Sequence, residues 1–133
     1  MRDSFSICII DDDMIYQFIT KRIFETKDYI KKVLAFADGE QAIQFFADNL
    51  HNVTALPDII FLDINMPIMD GWQFMSAYAT LKAQINKKIT IYIVSSSVDV
   101  VDLEKVKEFE DIIGYLTKPV TPERFIEAIA TLE

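Results

Sequence analysis

The side chains in this sequence that could do chemistry stand where apolar runs end. Asp11 and Asp12 follow Ile7-Cys8-Ile9-Ile10, Asp63 follows Ile59-Ile60-Phe61-Leu62, and Lys118 follows the run Ile112-Ile113-Gly114-Tyr115-Leu116. A further run, Ile89 to Val94, ends in the hydroxyl series Ser95-Ser96-Ser97. In an open parallel sheet the carboxyl ends of all strands lie on one edge, and ligand sites form there. Residues distant in the chain would then meet in one acidic pocket holding a single ammonium group and a hydroxyl. Clustered carboxylate oxygens suit a hard cation such as magnesium, and a lysine beside them suits a phosphate oxygen. The expected chemistry is therefore magnesium-assisted handling of a phosphoryl group.

The elements that must position these residues alternate strictly. Residues 6–10 read as a short buried strand. The spacing of Ile15, Phe18, Ile19 and Ile23 then predicts a helix with those residues inward and Lys21, Arg22 and Glu25 outward. Val33 to Ala37 reads as the second strand, and Asp38 as the cap of a helix that buries Ala42, Phe45, Phe46 and Leu50, with Gln41 as its capping-box partner. Pro57-Asp58 breaks the chain before a third strand over 59–62. The loop from Asp63 to Gly71 leads into a helix carrying Phe74, Met75, Tyr78 and Leu81. A fourth strand over 89–94, a helix around 99–109 and a fifth strand over 112–116 follow. Thr121-Pro122 opens the last helix as N-cap and first helical residue, with Phe125, Ile126 and Ile129 inward. Five strands alternating with five helices predict an α/β fold: a doubly wound parallel sheet covered on both faces. Lys31 and Lys32 before the second strand place it at an edge.

Size and composition narrow the class. A chain of 133 residues holds one domain, taken as 1–133. No apolar run reaches the length of a membrane span, and Met1-Arg2-Asp3-Ser4 lacks the apolar stretch of a signal peptide, so a cytoplasmic protein without a membrane partner is expected. The formal net charge of −8 opposes direct binding to nucleic acid. Cys8 lies inside the first strand and reads as a buried, inert thiol; His51, the single histidine, reads as a solvated loop residue.

The sequence resembles the receiver domains of two-component response regulators, of the stand-alone, chemotaxis-regulator type, from Ile7 to Ile129. The resemblance rests on the acidic pair Asp11-Asp12, on Leu62-Asp63-Ile64-Asn65-Met66-Pro67 with Met69-Asp70-Gly71 beyond, on Ser95, and on Lys118-Pro119. It implies a flavodoxin-like sheet in the order 2-1-3-4-5. Asp63 is implied as the phosphoacceptor, attacking a phosphoryl group carried by a histidine of a partner histidine kinase or histidine phosphotransfer protein. Magnesium is implied as cofactor, held by Asp12 and Asp63, by the main-chain carbonyl of Asn65, and by Asp11 through water. Two carboxylates about 5 Å apart at an effective dielectric near 20 repel by roughly 3 kcal/mol, which a divalent ion more than offsets. Lys118 and Ser95 are implied to hold phosphoryl oxygens, Ser95 and Tyr115 to act as the switch pair, and the Lys118-Pro119 bond to be cis. The output would be a change in the surface of helix four, strand five and helix five. An unidentified downstream protein would read it, or the phosphoryl group would pass on to another histidine in a phosphorelay; the protein would be a monomer or a homodimer linked to phosphorylation.

Some residues take simpler assignments. Asp13 reads as the cap of the first helix, and Asp70 before Gly71 as a turn residue or cap of the third. The charged stretch from Glu104 to Asp111 departs from the family pattern, as does serine at position 95, where threonine is more usual. Ser97, two past Ser95, offers no acid or amide to position an attacking water, so a phosphoaspartate that is not among the shortest-lived is expected. Two other classes compete. A magnesium phosphohydrolase would turn over at Asp63, but Asn65 stands where such enzymes often carry a second acid or base. A degenerate module would bind partners without being modified. A nucleotide- or flavin-binding sheet is disfavoured because no glycine-rich loop follows the first strand.

Overall fold

The computed structural model describes residues 4–96 and 99–132. In it the apolar runs form β1 (Phe5–Ile10), β2 (Ile30–Phe36), β3 (Ile59–Asp63), β4 (Thr90–Ser95) and β5 (Ile112–Thr117). They alternate with α1 (Met14–Glu25), α2 (Gly39–Asp48), α3 (Gly71–Leu81), α4 (Val100–Val106) and α5 (Pro122–Ala130), and a short 3-10 turn follows α3 at Lys82–Gln84. The strands form one parallel sheet in the order β2-β1-β3-β4-β5, so the expected doubly wound, flavodoxin-like topology is present with β2 at an edge.

Side chains alternate across the sheet with period two. Cys8, Ile10, Ile60, Leu62, Ile91 and Ile93 pack on the face covered by α2 and α3, together with Phe46, Phe74 and Tyr78. Phe5, Ile7, Ile9, Ile59, Phe61 and Val94 pack on the other face, against Phe24 of α1 and Phe125 and Ile129 of α5. Phe24, Phe61 and Phe125 form an aromatic cluster there, with ring centroids 5.0–5.6 Å apart. The crossovers diverge between β1 and β3, where Ile10 is in register with Leu62. Asp11 and Asp63 therefore leave adjacent strands at the same height, at the point where the strand order reverses.

Helix α1 departs from the expected orientation. Ile15 is 74% exposed, Phe18 65% and Ile19 54%, while Gln17, Thr20 and Phe24 are buried and Ile23 is half-buried. The cause is a pair of hydrogen bonds: Gln17 Nε2 donates to the Asp11 carbonyl at 2.7 Å and to the Phe36 carbonyl at 2.8 Å. Satisfying two main-chain acceptors at the ends of β1 and β2 turns this face inward, and the more apolar face is left in water.

Helix α4 is also shorter than expected. It spans seven residues and buries none of them, as its charged sequence lacks an inward apolar stripe. Its tie to α3 is polar and aromatic: Trp72 Nε1 donates to Asp102 Oδ1 at 3.1 Å and the Lys105 ammonium lies 5.7 Å from the Trp72 ring centre, while Phe109, beyond the helix, stacks on Trp72.

The caps follow the sequence. Asp13 accepts from the Ile15 and Tyr16 amides, Thr121 from the Arg124 amide, and Asp70 forms a full capping box with Gln73. Asp38 accepts from the Gln41 amide, but the Gln41 side chain accepts from the Ala37 amide rather than closing the box.

Candidate functional site

β1 and β3 bring Asp11, Asp12 and Asp63 together, with one carboxylate oxygen from each lying within 4.8 Å of the others. Asp11 and Asp63 are buried and Asp12 is exposed, so the cluster opens to solvent on the Asp12 side. Lys118 enters from the turn after β5. Its amide donates to the Ser95 carbonyl at 2.9 Å, which ties this turn to the end of β4. Its ammonium lies 2.7 Å from Asp11 Oδ2 and 3.8 Å from Asp63 Oδ2. The Lys118–Pro119 peptide is cis.

Both Asp11 oxygens are engaged, because Oδ1 accepts the Asp13 amide at 2.9 Å while Oδ2 faces Lys118. Asp63 is held differently. Burial, and then the charge of Asp11, push its carboxyl up to about 6; Lys118 opposes this rise, Asp12 adds to it, and a hydrogen bond from the Ile64 amide opposes it. Three carboxylates and one ammonium leave an excess of two negative charges, and the donors are hard oxygens. This set fits a magnesium ion. The Asn65 carbonyl adjoins the cluster in sequence; the preceding Ile64 carbonyl is taken by the Gly71 amide at 2.8 Å.

The remaining expected residues lie around this pocket. Ser95 ends β4 fully buried, one residue beyond Val94, which is in register with Asp63. Tyr115, in register with Ile93 on β5, is 44% exposed. Ser97 lies outside the described residues. Cys8 is buried, with its thiol pushed up by burial, and His51 is exposed.

Three positions carry more than the sequence analysis assigned to them. Gly71 packs against the end of β3: a β-carbon there would lie 2.6 Å from the Asp63 carbonyl oxygen and 2.9 Å from the Ile64 Cα. The sequence signal was present, since Gly71 directly follows a helix cap, but a turn role accounted for it. Tyr16, on the first turn of α1, faces the Lys118 ammonium, and only its distance from the acidic pair hinted at this. Ile68 takes a positive φ of 69°, with the Met69 amide donating to the Pro67 carbonyl at 2.7 Å, a tight γ-turn that no residue-type signal announces.

Comparisons agree with this geometry. The solved structure of a two-component response regulator from Cytophaga hutchinsonii is similar with a TM-score of 0.84 and 25% identity, over 97% of each chain. Chemotaxis protein CheY4 of Vibrio cholerae shares the fold at a TM-score of 0.80 and 22% identity, over 98% of this chain and 99% of that one. Among curated proteins, hybrid signal transduction histidine kinase I of Dictyostelium discoideum is 28% identical over 94% of this chain, which spans 7% of that protein. The nitrate/nitrite response regulator NarL of Escherichia coli is 29% identical over 93% of this chain, which spans 52% of that protein. The family described as response regulator receiver domain matches residues 7–130. With the sheet order, the aspartate cluster and the lysine already in place, that match makes the chain a member of the response regulator receiver domain family of two-component signal transduction.

Proposed function

We propose that Asp63 accepts a phosphoryl group from a histidine of a partner kinase or phosphotransfer protein, and that the chain acts as a phosphorylation-driven signalling domain in the cytoplasm rather than as a turnover enzyme. The observation that carries this reading is the convergence of Asp11, Asp12 and Asp63 around one point, with the Lys118 ammonium 3.8 Å from Asp63 Oδ2. In the reaction an Asp63 oxygen forms a bond to phosphorus while the phosphorus–nitrogen bond of the donor breaks. The departing imidazole keeps that electron pair. Magnesium, when bound, neutralises charge on the carboxylates and the phosphoryl oxygens.

Asp12 and Asp63 would hold the ion directly, with the Asn65 carbonyl. Asp11, with both oxygens already engaged, would act through water. Lys118 supplies a fixed positive charge for one phosphoryl oxygen, and the Ser95 hydroxyl a donor for another. Ser95 moving towards the new phosphoryl group, with Tyr115 turning inward, would pass the change to the surface of α4, β5 and α5. A weakly anchored α4 and an outward Tyr115 suit such a change. A protein donor must approach over the rim beside α1, where Met14, Ile15, Phe18 and Ile19 are exposed, and we assign these residues to the donor contact.

The test is incubation with acetyl phosphate and magnesium, read by intact mass. A single phosphoryl adduct that is lost in Asp63→Asn supports the reading, and an unmodified wild-type protein contradicts it.

A further inference from the structure

We propose that Tyr16 is a positioning residue for Lys118: the face of its ring holds the ammonium at the carboxylate pocket and thereby sets the rate of phosphoryl acceptance. The inference rests on the reading of Asp63 as phosphoacceptor. The Lys118 ammonium lies 4.4 Å from the centre of the Tyr16 ring, inside the range where a ring quadrupole attracts a cation. Among the described residues its other close partners are Asp11 at 2.7 Å and Asp63 at 3.8 Å. Together these three groups confine the end of a flexible four-carbon stem whose side chain is otherwise 21% exposed.

Tyr16 is itself held in place. Its amide is fixed by the Asp13 side chain at 3.0 Å, and its ring packs on the aromatic layer beneath α1 and α5. Its hydroxyl is enclosed and makes no hydrogen bond of good geometry among the described residues, and burial pushes it well above the ordinary tyrosine range. The ring face, not the hydroxyl, is therefore the part of Tyr16 that Lys118 uses.

The ring matters most when the pocket is loaded. A divalent ion held by Asp12 and Asp63 would compete with the ammonium for the Asp63 carboxylate. The ring is a partner that the ion would leave in place, so with Asp11 it would keep Lys118 beside the reacting centre. An aliphatic side chain of similar bulk would fill the space without that attraction.

Two measurements test this. In the wild-type protein, NMR should place the Lys118 ε-methylene protons upfield of free lysine through the ring current, both without and with magnesium. Tyr16→Leu should lower the initial rate of Asp63 labelling by acetyl phosphate about 3- to 10-fold, and Tyr16→Phe should restore it. Unshifted methylene protons, a Leu variant as fast as wild type, or a Phe variant as slow as the Leu variant would each overturn the inference. If Tyr16→Leu does not fold, the methylene shift decides alone. If wild type takes no phosphoryl group, the phosphoacceptor reading fails, whereas the methylene shift still decides whether the ring holds the lysine.

Discussion

Gly71 lies so close to Asp63 that a β-carbon on it would come within 2.6 Å of the Asp63 carbonyl oxygen. The first residue of α3 is thus in van der Waals contact with the last residue of β3, and the Gly71 amide donates to the Ile64 carbonyl. The helix start acts as a stop that fixes where the Asp63 backbone ends. Gly71→Ala should push this junction apart and destabilise the fold by about 1–3 kcal/mol despite the better helix propensity of alanine. Urea unfolding measures that cost, and slower labelling of Asp63 by acetyl phosphate should accompany it.

The raised carboxyl of Asp63 has a stability consequence in metal-free protein. Its native value of about 6 lies above the ordinary 3.8, so the native state holds this proton more tightly than the unfolded chain does. Native stability is therefore penalised as pH rises from the lower value through the higher one, and the penalty is complete above both. A shift of roughly two units corresponds to at most about 3 kcal/mol, and the solvent-open side of the pocket reduces this to about 1–2 kcal/mol. With chelator present, Asp63→Asn should be more stable than wild type by that amount near about pH 8, and the gap should close below about pH 4. Urea melts across pH check this. A gap that is constant with pH would contradict it.

Ile68 is an exposed β-branched residue held at φ 69°, where L side chains are strained. With its side chain 73% exposed, little packing is lost on removing it. Ile68→Gly should therefore leave the fold at least as stable as wild type, with a gain of up to about 1 kcal/mol, readable as a small rise in Tm.

Phe18, exposed on α1 with the Arg22 guanidinium 5.8 Å from its ring centre, is the position at which the proposed donor contact can be tested apart from the chemistry. Phe18→Asp should slow phosphoryl transfer from a protein donor about tenfold or more while labelling by acetyl phosphate is unchanged. Parallel labelling with the two donors checks this.

Most of the framework was legible in the residues. The unbroken apolar runs Ile7 to Ile10 and Ile59 to Leu62 mark central strands buried on both faces, and acids at their ends mark the edge where chemistry collects. Asp13, Asp70 and Thr121 cap the helices that their types announce. The orientation of α1 was not legible, because hydrophobic periodicity assumes that burial follows apolarity, whereas Gln17 is drawn inward by two carbonyl groups contributed by other elements. Asp58 shows the same limit. It reads as a chain breaker, but it is buried, accepting the Ser6 amide at 2.7 Å and pairing with Lys87 at 3.3 Å, at the edge of the sheet opposite the candidate site. Both partnerships are tertiary, and spacing along the chain carries no trace of them.

The central claim is that Asp63 itself becomes phosphorylated. Borohydride reduction of protein treated with acetyl phosphate and magnesium, followed by peptide mass mapping, locates the modified residue, since an aspartyl phosphate is reduced to homoserine. Conversion at position 63, dependent on magnesium and reduced in Asp12→Asn, is the predicted result. Conversion at another carboxylate, or none at position 63 in a folded protein, would contradict the account.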